Sequence, residues 1–153
     1  MKRLVPNRLI HLFLIPITVL ILIFGVIIIS CKKENAEYSI QDLLGTWEFA
    51  AFVASDGSLR TIQRYDCEDC YTITFYEDST MTGRSSINTL AKAFILSGNH
   101  ISFPWGVLAT EVLEEGDPLS FTEALLNVRS FSIEESNLKL FYTENKFLLC
   151  LPN

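Results

Sequence analysis

The stretch Tyr71–Arg84, YTITFYEDSTMTGR, decides the fold. Tyr71, Ile73 and Phe75 alternate with Thr72, Thr74 and Tyr76, the period of a strand with one face on a core. Glu77-Asp78-Ser79 is turn chemistry, and Thr80 to Arg84 resumes as a second strand. Upstream, Asp42 to Phe49 runs from a short turn into a strand that places Trp47, Phe49, Ala51 and Val53 on one face. Asp56-Gly57 is a hairpin signal before a strand near Leu59 to Tyr65. Downstream, Ala93 to Ser97 and His100 to Phe103 form a hairpin around Gly98-Asn99. Arg129 to Glu134, Leu138 to Tyr142 and Lys146 to Leu151 read as three further strands. Between them, Ser120-Phe121-Thr122-Glu123 has the capping-box pattern, with Ser120 as N-cap and Glu123 at N3. It predicts a short helix ending near Asn127, with Phe121, Leu125 and Val128 on one face. The fold expected is mainly β (α+β): an antiparallel curled sheet or partly closed barrel of about eight strands with one short helix. Phe49, Phe75, Phe94, Phe131 and Phe141 are expected to fill its interior.

Outside that region the chain changes character. Lys2, Arg3 and Arg8 precede 22 residues, Leu9 to Ser30, without Asp, Glu, Lys or Arg. Such a run is long enough to span a bilayer and longer than the h-region of most signal peptides. Its end, Ile28-Ile29-Ser30-Cys31, resembles the lipobox of bacterial lipoproteins. There a small residue lets the peptidase reach the bond before the cysteine, and the thiol takes up a diacylglyceryl group. The resemblance implies cleavage after Ser30 and lipidation of Cys31, with palmitate-type acyl chains; an uncleaved signal anchor is the alternative for the same residues. Acyl chains at ~0.8 kcal/mol per buried methylene would hold the protein on a membrane without a protein span. The organisation expected is a signal peptide over 1–30, a lipidated tether over 31–41 and a β domain over 42–153.

Removing residues 1–30 takes three basic and no acidic residues from totals of 12 and 18, leaving 9 against 18. A surface so acidic, with no basic cluster, repels phosphate backbones, so no nucleic-acid partner is expected. Of the cysteines, Cys67, Cys70 and Cys150 remain as disulfide candidates. Cys67-Glu68-Asp69-Cys70 has the spacing of a redox motif or half a zinc site. The next element is a strand rather than a helix, though, and the two acidic residues would raise a thiol pKa. With no second Cys-x-x-Cys or nearby His pair, no metal is expected. A structural disulfide in an oxidising compartment is the expected reading, with the pairing open.

The order of pieces resembles the META domain family, found in heat-inducible bacterial envelope lipoproteins. The likeness rests on Gly45-Thr46-Trp47, on Thr74-Phe75 followed by Asp78 and Gly83, on Asn88, on the Phe121-Thr122-Glu123-Ala124-Leu125 helix and on Leu138-Lys139-Leu140. It covers about residues 43–151. The family commonly has cysteine where Ile87 stands, so its disulfide does not transfer. Asp66 to Thr72 is similar to a stretch in small lipoproteins of gut-type Bacteroidetes. These resemblances imply fold and address: a bacterial cell envelope, the outer membrane favoured over the inner, with the domain in the periplasm or at the cell surface.

Catalytic chemistry finds little support. His100 is the single histidine of residues 31–153 and has no nucleophile signature near it. Glu111, Glu114, Glu115 and Asp117 around Gly116 lack the spacing of a calcium loop and read as a solvated loop. Trp105, in Pro104-Trp105-Gly106, together with Phe103 and Tyr65 are the binding candidates, whereas Trp47 reads as a core plug. No cofactor is implied. The function expected is therefore non-enzymatic: contacts with an envelope protein or small ligand in envelope maintenance, or, alternatively, lipocalin-like carriage of a small apolar ligand. Cys31→Ala should leave an unprocessed precursor that takes up no labelled fatty acid. Label entering that variant, or a wild type that keeps residues 1–30, would overturn the lipobox reading.

Overall fold

The computed structural model describes residues 38–64, 67, 69–104, 108–110 and 112–153. Cys31, Tyr65, Trp105 and Glu111 lie outside the described residues. In chain order the elements are α1 (Ile40–Leu43), β1 (Gly45–Val53), β2 (Leu59–Arg60), β3 (Thr72–Phe75), β4 (Thr80–Arg84), β5 (Thr89–Ala93), β6 (Ile95–Ser97), β7 (His100–Ser102), β8 (Leu108–Ala109), α2 (Asp117–Leu126), β9 (Ser130–Glu134), β10 (Asn137–Thr143) and β11 (Lys146–Pro152). The strands pair in the order β6-β7-β9-β10-β11-β1-β3-β4-β5-β8, with β2 beside β1, and every pairing is antiparallel.

The sheet is nearly closed into a barrel, the class expected from the alternating pattern. Strands β5 and β6 are one bent run joined at Phe94, whose N–H donates to Ser79 O at 2.8 Å. The first half pairs with β4 and the second with β7, so one piece of chain serves both ends of the sheet, with the two-residue β8 added beyond β5. Counting that run once, and setting aside the two-residue β2 and β8, gives eight staves, which is why about eight strands were legible.

Alternation fills the interior. Phe49, Phe75, Phe94 and Phe131 are all at most 3% exposed, and Ile73, Met81, Leu138, Leu140 and Leu148 join them. Phe141 is a correction: Leu138 and Leu140 take the inward positions of β10, so Phe141 points outward and stacks on Phe147 with centroids 5.0 Å apart. A register shift between Phe49 and Ala51 bulges β1, so that Ala51, Phe52 and Val53 are all buried. The Trp47 indole N–H donates to Leu43 O at 2.8 Å, closing one end of the core as a plug.

Three further expectations change. The strand expected over Leu59 to Tyr65 is only Leu59–Arg60, because Arg64 is drawn instead to the Glu48 carboxylate and Phe49 O. Helix α2 is capped four residues before Ser120, at Gly116 (φ 67°), with Pro118 in its first turn, where a missing N–H is harmless. The Ser120 hydroxyl donates back to Gly116 O at 3.0 Å, while Phe121, Leu125 and Val128 are buried together as expected. Residues 38–41, expected in the tether, belong to the fold. The Tyr38 ring lies 4.9 Å from that of Phe131, its hydroxyl accepts the Ile133 N–H at 3.2 Å, and the one-turn α1 follows. Helix α2 lies against β10 and β11 and sets Leu125 over Gly83, where a Cβ would come within 2.6 Å of Leu125 Cδ2.

The acidic run is not simply solvated. Glu115 is exposed, and Asp117 pairs with Arg60 in the first turn of α2, but Glu114 is buried. Its carboxylate accepts from the Ser85 and Ser86 hydroxyls and the Ile87 N–H. Asn88 does similar work beside it, donating to Val112 O at 2.7 Å and accepting from Val112 N–H at 3.1 Å, so that its amide replaces a strand partner. Burial opposes the Glu114 charge, yet the bonds from Ser85, Asn88, Ile87 and Ser86 hold its carboxyl below the ordinary carboxylate range. A folded-state pKa below the unfolded one gives stability that is complete above the unfolded value, here 4.5, and lost as pH falls through the depressed folded value. Acid titration of thermal stability should therefore show a decline below about pH 4.5 that flattens in Glu114→Gln. Parallel acid profiles for variant and wild type would refute it.

Candidate functional site

Leu90, Lys92 and Phe94 occupy successive inward positions on the bent β5–β6 run. The register fixes this: Leu90 faces Gly83 and Lys92 faces Met81 across β4, and Leu90, Met81 and Phe94 are buried. A lysine thus stands in an apolar slot. Its ammonium lies 4.9 Å from the centroid of the Phe103 ring, and burial pushes its pKa below the ordinary lysine range. The ring attracts the cation without neutralising it.

Four other described cations are neutralised. Arg60 meets Asp117, Arg64 meets Glu48, Arg84 lies 4.0 Å from Asp69, and Lys139 lies 2.5 Å from Glu134. Among the described residues no carboxylate pairs with Lys92 or Arg129, and these two line the same cleft of about 550 Å³. Ile101, Leu126 and Val128 contribute its apolar surface, Phe103 and His100 also line it, and among the described residues no Asp or Glu does. Arg129 is placed by the backbone: its N–H donates to Phe141 O at 2.9 Å and its carbonyl accepts from Ile101 N–H at 3.0 Å. The cleft sits where β7 meets β9 through a single register pair, His100 with Ser130, the thinnest seam of the barrel wall.

Two other clefts differ in charge. One, about 530 Å³, lies beside the Cys67–Cys70 disulfide and contains Arg64 and Tyr71. The other, about 420 Å³, contains Arg60, which also lies 4.1 Å over the Phe52 ring. In both, the arginine already has its carboxylate. Volumes of this size suit small molecules in each case, but unspent positive charge distinguishes the Lys92 cleft.

The binding candidates separate accordingly. Phe103 is in the cleft; Trp105 and Tyr65 lie outside the described residues. His100 is exposed on β7. Among the cysteines, Cys67 pairs with Cys70, and Cys150 is free and fully buried, its thiol pKa pushed up by burial. Lys92 and Arg129 were missed by sequence reasoning. The signal for Lys92 was present in Leu90-Ala91-Lys92-Ala93-Phe94, where a lysine takes the inward place of a period-two pattern; Arg129, between helix and strand, carries no such signal.

No family model matches the chain, and no curated protein matches it. Among solved structures, an NMR structure of a protein from Burkholderia xenovorans aligns with TM-score 0.59 at 17% identity, over 74% of this chain and 86% of that one. The crystal structure of a DUF4847 family protein from Bacteroides vulgatus aligns with TM-score 0.50 at 18% identity, over 81% of this chain and 98% of that one. At such identities the likeness is one of fold.

A lysine kept in an apolar slot without a counter-charge costs stability, the usual mark of a residue retained for another reason. Lys92→Met should fill the same volume without the charge and raise stability by about 0.5–2 kcal/mol in thermal or denaturant unfolding. Destabilisation by the substitution would make Lys92 a structural residue.

Proposed function

We propose that the chain is a lipid-anchored protein of the bacterial cell envelope, tethered through Cys31, whose META-like β domain acts by binding rather than catalysis. The lipobox-like Ile28-Ile29-Ser30-Cys31 supports the address. The observation that carries the binding reading is the cleft of about 550 Å³ in which Lys92 and Arg129 have no carboxylate partner among the described residues. A small ligand in envelope maintenance fits this cleft, and Trp105, next in sequence to Pro104 of the cleft, remains a contact candidate. Carriage of an apolar ligand inside the barrel, the alternative reading, fits less well, because Phe49, Phe75, Phe94 and Phe131 occupy the inward positions and Lys92 would meet the ligand with a charge.

The test compares Phe103→Ala, Trp105→Ala and Trp47→Ala in intact envelopes after mild crosslinking, alongside thermal unfolding of each full-length variant. Trp47→Ala should lose roughly 3–5 kcal/mol, as a removed core ring does, whereas the other two should melt close to wild type and lose the crosslinked adduct. Adducts that survive both Phe103→Ala and Trp105→Ala would exclude this rim from recognition, and equal destabilisation by Trp47→Ala and Trp105→Ala would make Trp105 a core residue.

A further inference from the structure

The chemistry of the cleft is narrower than a general binding surface. With residues 1–30 removed the chain has twice as many acidic as basic residues, yet among the described residues no Asp or Glu side chain lines the cleft, while Lys92, Arg129 and His100 do. Four other described cations have carboxylate partners, and two of the three remaining converge here. Lys92 reaches the cleft from an inward position and is half-buried, so an incoming opposite charge gains more there than at a fully solvated lysine. Beside the charges lies apolar surface: Ile101 and Val128 are 2% and 3% exposed, and Leu126 is half-buried.

We propose that this cleft binds a small organic anion, a carboxylate or phosphate monoester with a compact apolar body, its anionic head at Lys92 and Arg129 and its body against Ile101, Leu126 and Val128. This rests on the reading of the cleft as the binding site. Phe103 is a positioning residue: its ring holds the Lys92 ammonium by its face and leaves the charge free for the ligand. The arginine offers a planar fork that matches either anion in two parallel hydrogen bonds, which lysine cannot do. A macromolecular polyanion does not suit the site, since a cleft of about 550 Å³ accommodates one head and one body and the chain around it is acidic.

Equilibrium dialysis of the full-length protein in neutral detergent micelles tests this with five probes: benzoate, phenyl phosphate, inorganic phosphate, benzamide and benzylamine. Benzoate or phenyl phosphate should bind saturably and at least tenfold more tightly than benzamide or benzylamine, and the preferred head group identifies which anion the site takes. Inorganic phosphate should bind more weakly than phenyl phosphate, because it leaves the apolar surface uncovered. Lys92→Gln and Arg129→Gln should each weaken the preferred anion at least fivefold without changing benzamide uptake into the micelles, and thermal unfolding confirms that each variant is folded. Benzamide binding as tightly as benzoate would overturn the anion assignment while leaving a neutral-ligand site. Absence of any saturable anion binding at millimolar concentration would overturn it too, and the crosslinking comparison of Phe103→Ala then decides separately whether the cleft recognises anything.

Discussion

Phe49 is the ring around which the interior is assembled. It sits 4.9 Å from Phe52 and 5.3 Å from Phe121, with Tyr71 at 6.3 Å, so one side chain joins β1, the start of β3 and helix α2. Tyr71 and Phe121 close the cluster edge to face at 5.4 Å. The backbone accepts this arrangement at a local cost: Tyr71 has φ 60°, a conformation uncommon for a large side chain, and its carbonyl receives the Phe49 N–H at 2.8 Å. The bulge after Phe49 lets Phe52 turn inward as well, which a regular strand would forbid. Helix, bulge and left-handed residue are therefore one packing solution rather than three separate features.

A core filled with rings leaves more room for a ligand at the margins of the wall than inside it. The barrel is continuous where β1 pairs along most of its length with β11, and thin where β7 meets β9. Two cations with no carboxylate partner among the described residues, Lys92 and Arg129, lie at the thin place. Elsewhere the protein spends its positive charges on its own carboxylates, fastening the 59–64 segment to β1 and to the first turn of α2 through Arg64 and Arg60. The rim at Ser85–Asn88 is fastened differently, by a buried carboxylate and an amide that stand in for missing strand partners. Such a rim tolerates irregular backbone because the Ser85 and Ser86 hydroxyls, the Ile87 N–H and the Asn88 amide all have partners.

Much of the fold was legible because a period of two is hard to mistake where one face is buried: Tyr71–Arg84, Leu138–Tyr142 and Lys146–Leu151 form strands within a residue or two of expectation. Errors arose where one local rule competed with another. Ser120 and Glu123 imitate a cap, but Pro118 in the first turn permits an earlier start, and Ser120 then bonds back to Gly116. Phe141 was assigned inward on hydrophobicity, although the parity of Leu138 and Leu140 sends it outward. The strand expected after Leu59 failed because no neighbouring strand receives it; an ion pair does instead. The site was less legible than the fold. Phe103 was found by its aromaticity, but an unpaired cation is defined by what is absent around it, and absence is visible only once the chain is folded.

Cys150 gives the barrel a chemical clock. It is buried on β11, opposite Phe49 on β1 and Leu138 on β10, so no reagent reaches its sulfur while both neighbouring strands are in place. The other two described cysteines are tied to each other. Alkylation at Cys150 therefore counts excursions in which the middle of the wall parts, whereas openings confined to the β7–β9 seam leave the thiol untouched.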